Sequence, residues 1–470
     1  IVKTIINELF SQQYDKRGDW PQWFMFPPFQ EIQSSTCHGD IAIWPIKALC
    51  DYLEHTSDGD ILHHRLPYTD EETFARTKRH ETILEHADRV LEILRQQFVA
   101  GLSIPHYGEG DWDDSLQPVC PLSAKRMASS WTTALMYQSL RRYAAALKHF
   151  GETDRAGRTM ETADQIHADF QRYMIIDGVV AGFVIFNGEP LQPEQYLLHP
   201  SDSRTGIRYR LIPMTRGILS NIFSPEQATT HLELIKKHLL FPDGARLMDR
   251  PTRYEGGRES VFRRSESAAF FGREIGLQYV HAHLRYAEAL ATMGKADELL
   301  HALSVVNPIA VTQVVKNAGR RQRNCYFSSS DAAFADRYEA SRDYEKLRRG
   351  EVIVNGGWRI YSSGPGIYTN LIIRHLFGLR RHFDCMEFDP VLPRELDGIE
   401  CELPYHGRRV RYQFGISGDS ESIKRIYVNG TEMVLLARAH NPYRKGGIRI
   451  KKTEFENALA QSENLVRIEL

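Results

Sequence analysis

Apolar residues recur at three- and four-residue spacing in segment after segment of this chain, which restricts it to an architecture of packed helices. The pattern predicts helices over 3–13, 41–53, 83–98, 131–150, 155–174, 226–240 and 273–304. Polar, glycine-rich loops separate them. Helix pairs joined by such loops over more than 350 residues suit an α/α toroid or a helical solenoid. No short repeat of solenoid type is visible, so the toroid leads. After about residue 383 the texture changes to short alternating pieces, among them Arg409-Val410-Arg411-Tyr412-Gln413-Phe414 and Leu465-Val466-Arg467-Ile468, separated by turns such as Asn429-Gly430. Alternation of that kind predicts strands. The expected organisation is a mainly α domain over 1–382 and a small all-β domain, a sandwich, over 383–470.

Composition narrows the partners. A net charge of −1 with a pI near 7.1 leaves no global electrostatic footprint for nucleic acid or an anionic membrane. No apolar run approaches the roughly 18 residues that cross a bilayer, and Ile1-Val2-Lys3-Thr4 does not open a secretory signal. The expectation is a cytoplasmic protein with no nucleic-acid or membrane partner. Its six cysteines are scattered without metal-finger or redox spacing, as reduced thiols would be.

Chemistry concentrates in Gly108-Glu109-Gly110-Asp111-Trp112-Asp113-Asp114-Ser115-Leu116-Gln117-Pro118, a turn lying between two predicted helices. Crowded carboxylates beside an indole raise at least one pKa, and a protonated acid beside a flat ring is what cleavage of a sugar acetal requires. Glycine and aspartate are also ordinary turn residues, so a solvated acidic turn stays open at this level. Upstream, Asp19-Trp20-Pro21-Gln22-Trp23 sets aromatics beside polar side chains. That loop is either hydrophobic packing or a sugar-stacking cleft, with Trp20 and Gln22 its binding candidates. His38 and Asp40 stand at the entrance of the 41–53 helix; two nearby side chains are too few for a metal site, and a structural His with an N-cap Asp is the plainer reading. Arg321, Arg323 and the serines around 328–330 offer donors for an anion, or form ordinary surface ion pairs. The Asn355–Gly366 stretch, with Ser362 and Ser363, can point backbone N–H groups and hydroxyls at an anion, and it is not a dinucleotide fingerprint.

Three motifs in this order resemble glycoside hydrolase family 94, the inverting β-glucoside phosphorylases, together with the related part of cyclic β-1,2-glucan synthases. Gly110-Asp111-Trp112-Asp113-Asp114 is similar to the family's Gly-Asp-Trp-Asn-Asp loop, and Val306-Asn307-Pro308-Ile309 to its Ile-Asn-Pro-Ile stretch. Gly356-Gly357-Trp358-Arg359-Ile360-Tyr361-Ser362-Ser363-Gly364 resembles its Gly-Gly-Trp-Thr-Trp-Tyr-Thr-Gly-Ser segment. Leu376-Phe377-Gly378-Leu379 and Phe388-Asp389-Pro390-Val391 resemble the passage from barrel to β domain. The Gly-Asp-Trp-Pro-Gln-Trp opening and Cys325-Tyr326-Phe327-Ser328-Ser329-Ser330-Asp331 resemble the 1,2-β-oligoglucan phosphorylase branch.

The resemblance implies an (α/α)6 barrel followed by a β-sandwich. It implies Asp114 as general acid, with inorganic phosphate as nucleophile and co-substrate, and neither cofactor nor metal. Asp111, Trp112 and Asp113 become substrate-binding candidates, as do Trp20, Gln22 and Asp40. Ser362, Ser363, Arg321 and Arg323 become phosphate-binding candidates. An oligosaccharide is then the partner, and a homodimer stays open. The alternatives are an inverting hydrolase or transglycosylase on the same scaffold, with Asp331, Asp336 or Glu339 as base, or a non-catalytic sugar-binding remnant. Two departures stand out. Many family members carry a phosphate-binding His where this chain has Val311, and the family's N-terminal sandwich and its Arg-Asp-x-x-Gln-Asp loop are not in these 470 residues. The resemblance therefore implies an N-terminally truncated chain with an incomplete barrel.

Overall fold

The computed structural model describes residues 1–34, 38–188, 191–268, 278–357, 359, 363–417 and 422–470. Helices dominate up to Leu371. Trp44–Thr56, Ser130–His149, Leu211–Leu219, Val280–Thr292 and Ser363–Leu371 form an arc that lines one open cavity, to which each contributes residues. A second row backs them. Val2–Ser11 packs on Trp44–Thr56, Thr153–Tyr173 on Ser130–His149, Pro225–His238 on Leu211–Leu219 and Ala296–Val305 on Val280–Thr292.

Local signals explain where these helices begin. Thr82 and Ser224 each close a capping box, with Glu85 and Gln227, and Pro225 occupies the first helical turn, where its missing N–H costs nothing. Ser130–His149 buries residues on most of its circumference, because it is covered by neighbours in both rows. The single helix expected over 273–304 is instead two, Val280–Thr292 and Ala296–Val305, and residues 273–277 lie outside the described set. Gly294 between them takes φ +73, a left-handed conformation that ends a helix and turns the chain. Leu211–Leu219, Arg337–Arg348 and Ser363–Leu371 are helices that periodicity did not single out.

The C-terminal region is β-rich, as expected. One sheet pairs Leu379–His382 with Cys385–Phe388, then Ile448–Lys451 and Ala437–Arg438. Its first strand thus precedes the expected boundary at 383. A second sheet holds Glu400–Tyr405, Arg408–Gly415, Glu463–Glu469, Arg425–Val428 and Thr431–Glu432. Arg408–Gly415 and Glu463–Glu469 run parallel, an arrangement that alternation cannot reveal. The β region docks on the helices: Phe383 N–H donates to the Glu54 carbonyl at 2.7 Å, and the Tyr443 hydroxyl donates to the Phe223 carbonyl at 3.1 Å.

Candidate active site

The acidic turn is anchored from both sides. Gly39 N–H donates to the Gly110 carbonyl at 3.0 Å, and the Tyr107 hydroxyl donates to the Leu116 carbonyl at 3.1 Å across the base of the loop. At φ +153, Gly110 is in a conformation that side chains rarely adopt, and a Cβ there would meet the His38 ring at 3.3 Å. The exit is tied down by Val119 N–H to the Val261 carbonyl, 3.0 Å, and Arg263 N–H to the Gln117 carbonyl, 2.9 Å.

Within this frame the three aspartates separate. Asp111 is fully buried, and its carboxylate accepts from the Ser129 hydroxyl at 2.7 Å, the Asp113 amide at 2.9 Å and Arg210 at 3.1 Å. Asp113 is also buried; it accepts from the Ser115 hydroxyl at 2.6 Å and faces Arg210 at 3.4 Å. Burial pushes the Asp113 carboxyl above its ordinary pKa, against the pull of Arg210. Arg210 is itself buried, with its guanidinium 4.5 Å from the Phe183 ring centroid. Asp114 alone faces outward, its side chain 38% exposed, and pairs with Arg264 at 2.6 Å.

Arg264 is aimed by its surroundings. Buried Glu266 accepts the backbone N–H groups of Ser260, Val261 and Phe262 at 2.6 to 2.8 Å, fixing the segment that runs beside the acidic turn. Arg210, Arg264, Glu266 and Ser129 were all missed by sequence reasoning. Only Ser129 carries a local signal, since it stands one residue ahead of a helix as an N-cap. The arginines reach the turn from 99 and 150 residues away, with no motif around them.

The other expected residues distribute as follows. Trp112 is half-buried and edge-on to Tyr279 at 5.3 Å, with His281 at 4.9 Å. Asp40 is buried beside the turn; one oxygen accepts the Trp44 indole N–H at 2.8 Å, and the other has no hydrogen-bond partner among the described residues. Its pKa is pushed up to about 7, first by burial, with nearby Asp111 adding to the effect. Gln22 lies 3.4 Å from His38 Nδ1, which brings it to the same entrance. Trp20 departs from expectation. It is 1% exposed, packs edge-on against Phe10 and gives its N–H to the Leu9 carbonyl at 2.7 Å, so its ring belongs to the core and not to a cleft.

A three-stranded sheet joins the later motifs to the turn. Gln278-Tyr279 pairs with Ser329–Ala332, which pairs with Val354–Gly356, and Tyr279 is the residue against Trp112. Gly357 is so close that a Cβ would fall 2.0 Å from the Ser329 hydroxyl and 2.6 Å from the Asp331 carboxylate. Arg321 donates to the Ser330 hydroxyl at 2.9 Å, while Arg323 is exposed. Buried Gln278 has no partner for either amide atom among the described residues, and one oxygen of Asp331 is likewise unpaired. Ser362 lies outside the described residues, as does the Ser363 side chain. Asp336 caps Arg337–Arg348, and Glu339 accepts the Ala335 N–H at 2.5 Å, so both are occupied in capping. Val311 is a core residue beside Phe241 and Val305. Among the described residues no group of three or more His, Cys, Asp or Glu is placed to hold a metal ion.

The acidic loop is anchored on a double row of helices that a β-rich region adjoins, and the class of protein comes from sequence comparison. The glycosyl hydrolase 94 superfamily catalytic domain matches residues 29–328, and a glycoside phosphorylase C-terminal domain matches 378–468. This chain belongs to glycoside hydrolase family 94. It is 43% identical over 98% of its length to a 1,2-beta-oligoglucan phosphorylase of Listeria innocua, of which it covers 41%. It is 27% identical over 61% of its length to a cellobionic acid phosphorylase of Neurospora crassa, covering 34% of that protein. To the cyclic beta-(1,2)-glucan synthase NdvB of Rhizobium meliloti it is 21% identical over 86% of its length, covering 14%. The chain therefore spans about two fifths of the Listeria protein and less of the others. Among the described residues no helix is long and apolar enough to cross a membrane.

Proposed function

We propose that the protein performs inverting, reversible phosphorolysis of β-1,2-linked gluco-oligosaccharides, yielding α-glucose 1-phosphate and a shortened glucan. The observation that carries this reading is the division of labour in the acidic turn: Asp111 and Asp113 are locked on Arg210, and only Asp114 is accessible. Asp114 protonates the glycosidic oxygen as the bond to C1 breaks, and a phosphate oxygen attacks C1 from the opposite face. Phosphate is already anionic, so no second carboxylate has to activate water. The Asp114–Arg264 pair opens before the proton is delivered.

Asp111 and Asp113 act chiefly by holding the loop. Trp112 offers a ring to the sugar and Gln22 a polar side chain at the entrance, while Asp40 is buried beside the turn, out of direct reach of a sugar. Arg321, with Ser330 beside it, is the better placed of the two arginines for phosphate, and Ser362 and Ser363 stay candidates by resemblance. The five helices around one cavity are read as an arc of an (α/α)6 barrel. The β region is read as its C-terminal sandwich, the division falling near 378 instead of 383. The name of the Listeria relative supports the linkage.

The role of Asp114 is tested in the full-length protein with Asp114→Asn. Turnover of β-1,2-glucotriose with phosphate is expected to fall about 10²- to 10⁴-fold, with folding intact by circular dichroism. Undiminished turnover would remove Asp114 from the mechanism.

A further inference from the structure

The segment that carries Arg264 is gripped at both ends by buried charged side chains whose hydrogen bonds go to backbone. Glu266 takes the N–H groups of Ser260, Val261 and Phe262, ahead of the short helix Arg263–Ser267. Arg337 takes the carbonyls at the other end. One of its nitrogens donates to Ser265 at 2.9 Å, to Ala268 at 3.2 Å and to Glu266, and the second donates to Thr252 at 2.7 Å. Arg337 and Glu266 are each 3% exposed, and the Arg337 guanidinium lies 5.1 Å from the Tyr254 ring centroid. Among the described residues neither forms a direct ion pair. Buried charge is tolerated only with its hydrogen bonds made, and a satisfied network of this kind rigidifies the backbone it holds.

The gripped segment is the wall against which the acidic turn closes. Arg263 gives its backbone N–H to the Gln117 carbonyl and its Nε to the Pro118 carbonyl at 3.1 Å, while Arg264 reaches Asp114. Through Thr252 the grip extends toward Arg210. The stretch just before Thr252 runs beside that arginine: Leu211 N–H donates to the Leu247 carbonyl at 2.8 Å, and the Asp249 carboxylate accepts the N–H groups of Arg208 and Tyr209 at 2.9 and 3.1 Å. Arg337 therefore stands behind both arginines that hold the aspartates, and none of its hydrogen bonds to described residues goes to the turn itself. Its own place is fixed as well. It opens the helix Arg337–Arg348, where Asp336 accepts the N–H groups of Tyr338 and Glu339, both at 2.9 Å.

We propose that Arg337 and Glu266 are positioning residues for the general acid: they hold Arg263–Ser267 where Asp114 meets the glycosidic oxygen. This rests on Asp114 being the acid. The Arg263 contacts set the exit of the turn, and the Arg264 pair sets the direction of the Asp114 carboxylate. A displacement of about 1 Å at a reacting group is worth about 10²-fold in rate. Lysine cannot replace Arg337, since one ammonium on a flexible stem does not span the carbonyls that the planar fork reaches.

The test compares two donors in the full-length protein, each with phosphate. β-1,2-Glucotriose needs its leaving oxygen protonated. 2,4-Dinitrophenyl β-glucopyranoside does not, because dinitrophenolate departs with the bonding electrons as a stable anion while a phosphate oxygen bonds to C1. Arg337→Lys and Glu266→Gln are each expected to lower kcat on the trisaccharide about 10²-fold and to change turnover of the aryl glucoside less than about threefold. Asp114→Asn should show the same split, and adding Arg337→Lys to it should bring no further loss. Equal losses on the two donors, an unchanged trisaccharide rate, or a full further loss in the double variant overturns the proposal alone. If Asp114→Asn itself spares the trisaccharide, the assignment of the acid falls and the proposal with it. Should Arg337→Lys not fold, the split in Glu266→Gln decides.

Discussion

Arg210 is the residue on which the acidic turn depends, because it alone stands between two buried carboxylates that would otherwise repel each other. Arg210→Met preserves much of its bulk over Phe183 but leaves Asp111 and Asp113 without a countercharge. A loss of about 3–5 kcal/mol in chemical denaturation is expected, larger than the loss from removing an exposed pair such as Arg409–Glu402. Asp40 gives a second prediction through its raised pKa of about 7. The folded state holds this proton after the unfolded chain, with an ordinary carboxyl near 3.9, has released it. Stability therefore falls as pH rises between those two values, by up to about 4 kcal/mol in total, and stays at the lower level above the upper one. Asp40→Asn removes that slope. Melting curves from pH 4 to 8 should be flatter for the variant than for the parent, and parallel curves would contradict the assignment. Of this chemistry the sequence carried Asp114 and its neighbours, because they are contiguous; it did not carry Arg210 or Arg264, which reach the turn only through the fold.

At the scale of elements, legibility followed local signals. Strands of the β region were readable from alternation, and Asn429-Gly430 from turn chemistry, both residues adopting positive φ. The parallel pairing of Arg408–Gly415 with Glu463–Glu469 was not, because the chain forms four intervening strands in both sheets before the short helix Lys452–Ala458 returns it beside Arg408–Gly415. Leu211–Leu219 escaped notice because it is buried almost all round and shows no polar face. The 273–304 segment reads as continuous because Ala and Leu flank Gly294 evenly, and only φ exposes the break. Gly294→Ala should cost about 1 kcal/mol or more in thermal unfolding, from positive φ and from a Cβ that would sit 2.8 Å from the Arg444 side chain. Substituting an open helical glycine such as Gly157 should instead be neutral or stabilising. A similar response at both sites would contradict the view that Gly294 divides the two helices.

For the whole molecule, the helical rows bring the acidic turn, the Gln278-Tyr279 strand and the Ser329–Ala332 strand to one place. The central claim is that phosphate, not water, accepts the glucosyl group on the face opposite Asp114. Time-resolved proton and phosphorus NMR of the full-length protein acting on β-1,2-glucotriose tests it most directly. With phosphate present, the first product should be the α-anomer of glucose 1-phosphate, in step with loss of trisaccharide, and without phosphate the substrate should persist. Release of free glucose in phosphate-free buffer, or β-glucose 1-phosphate as the first product, would contradict the account.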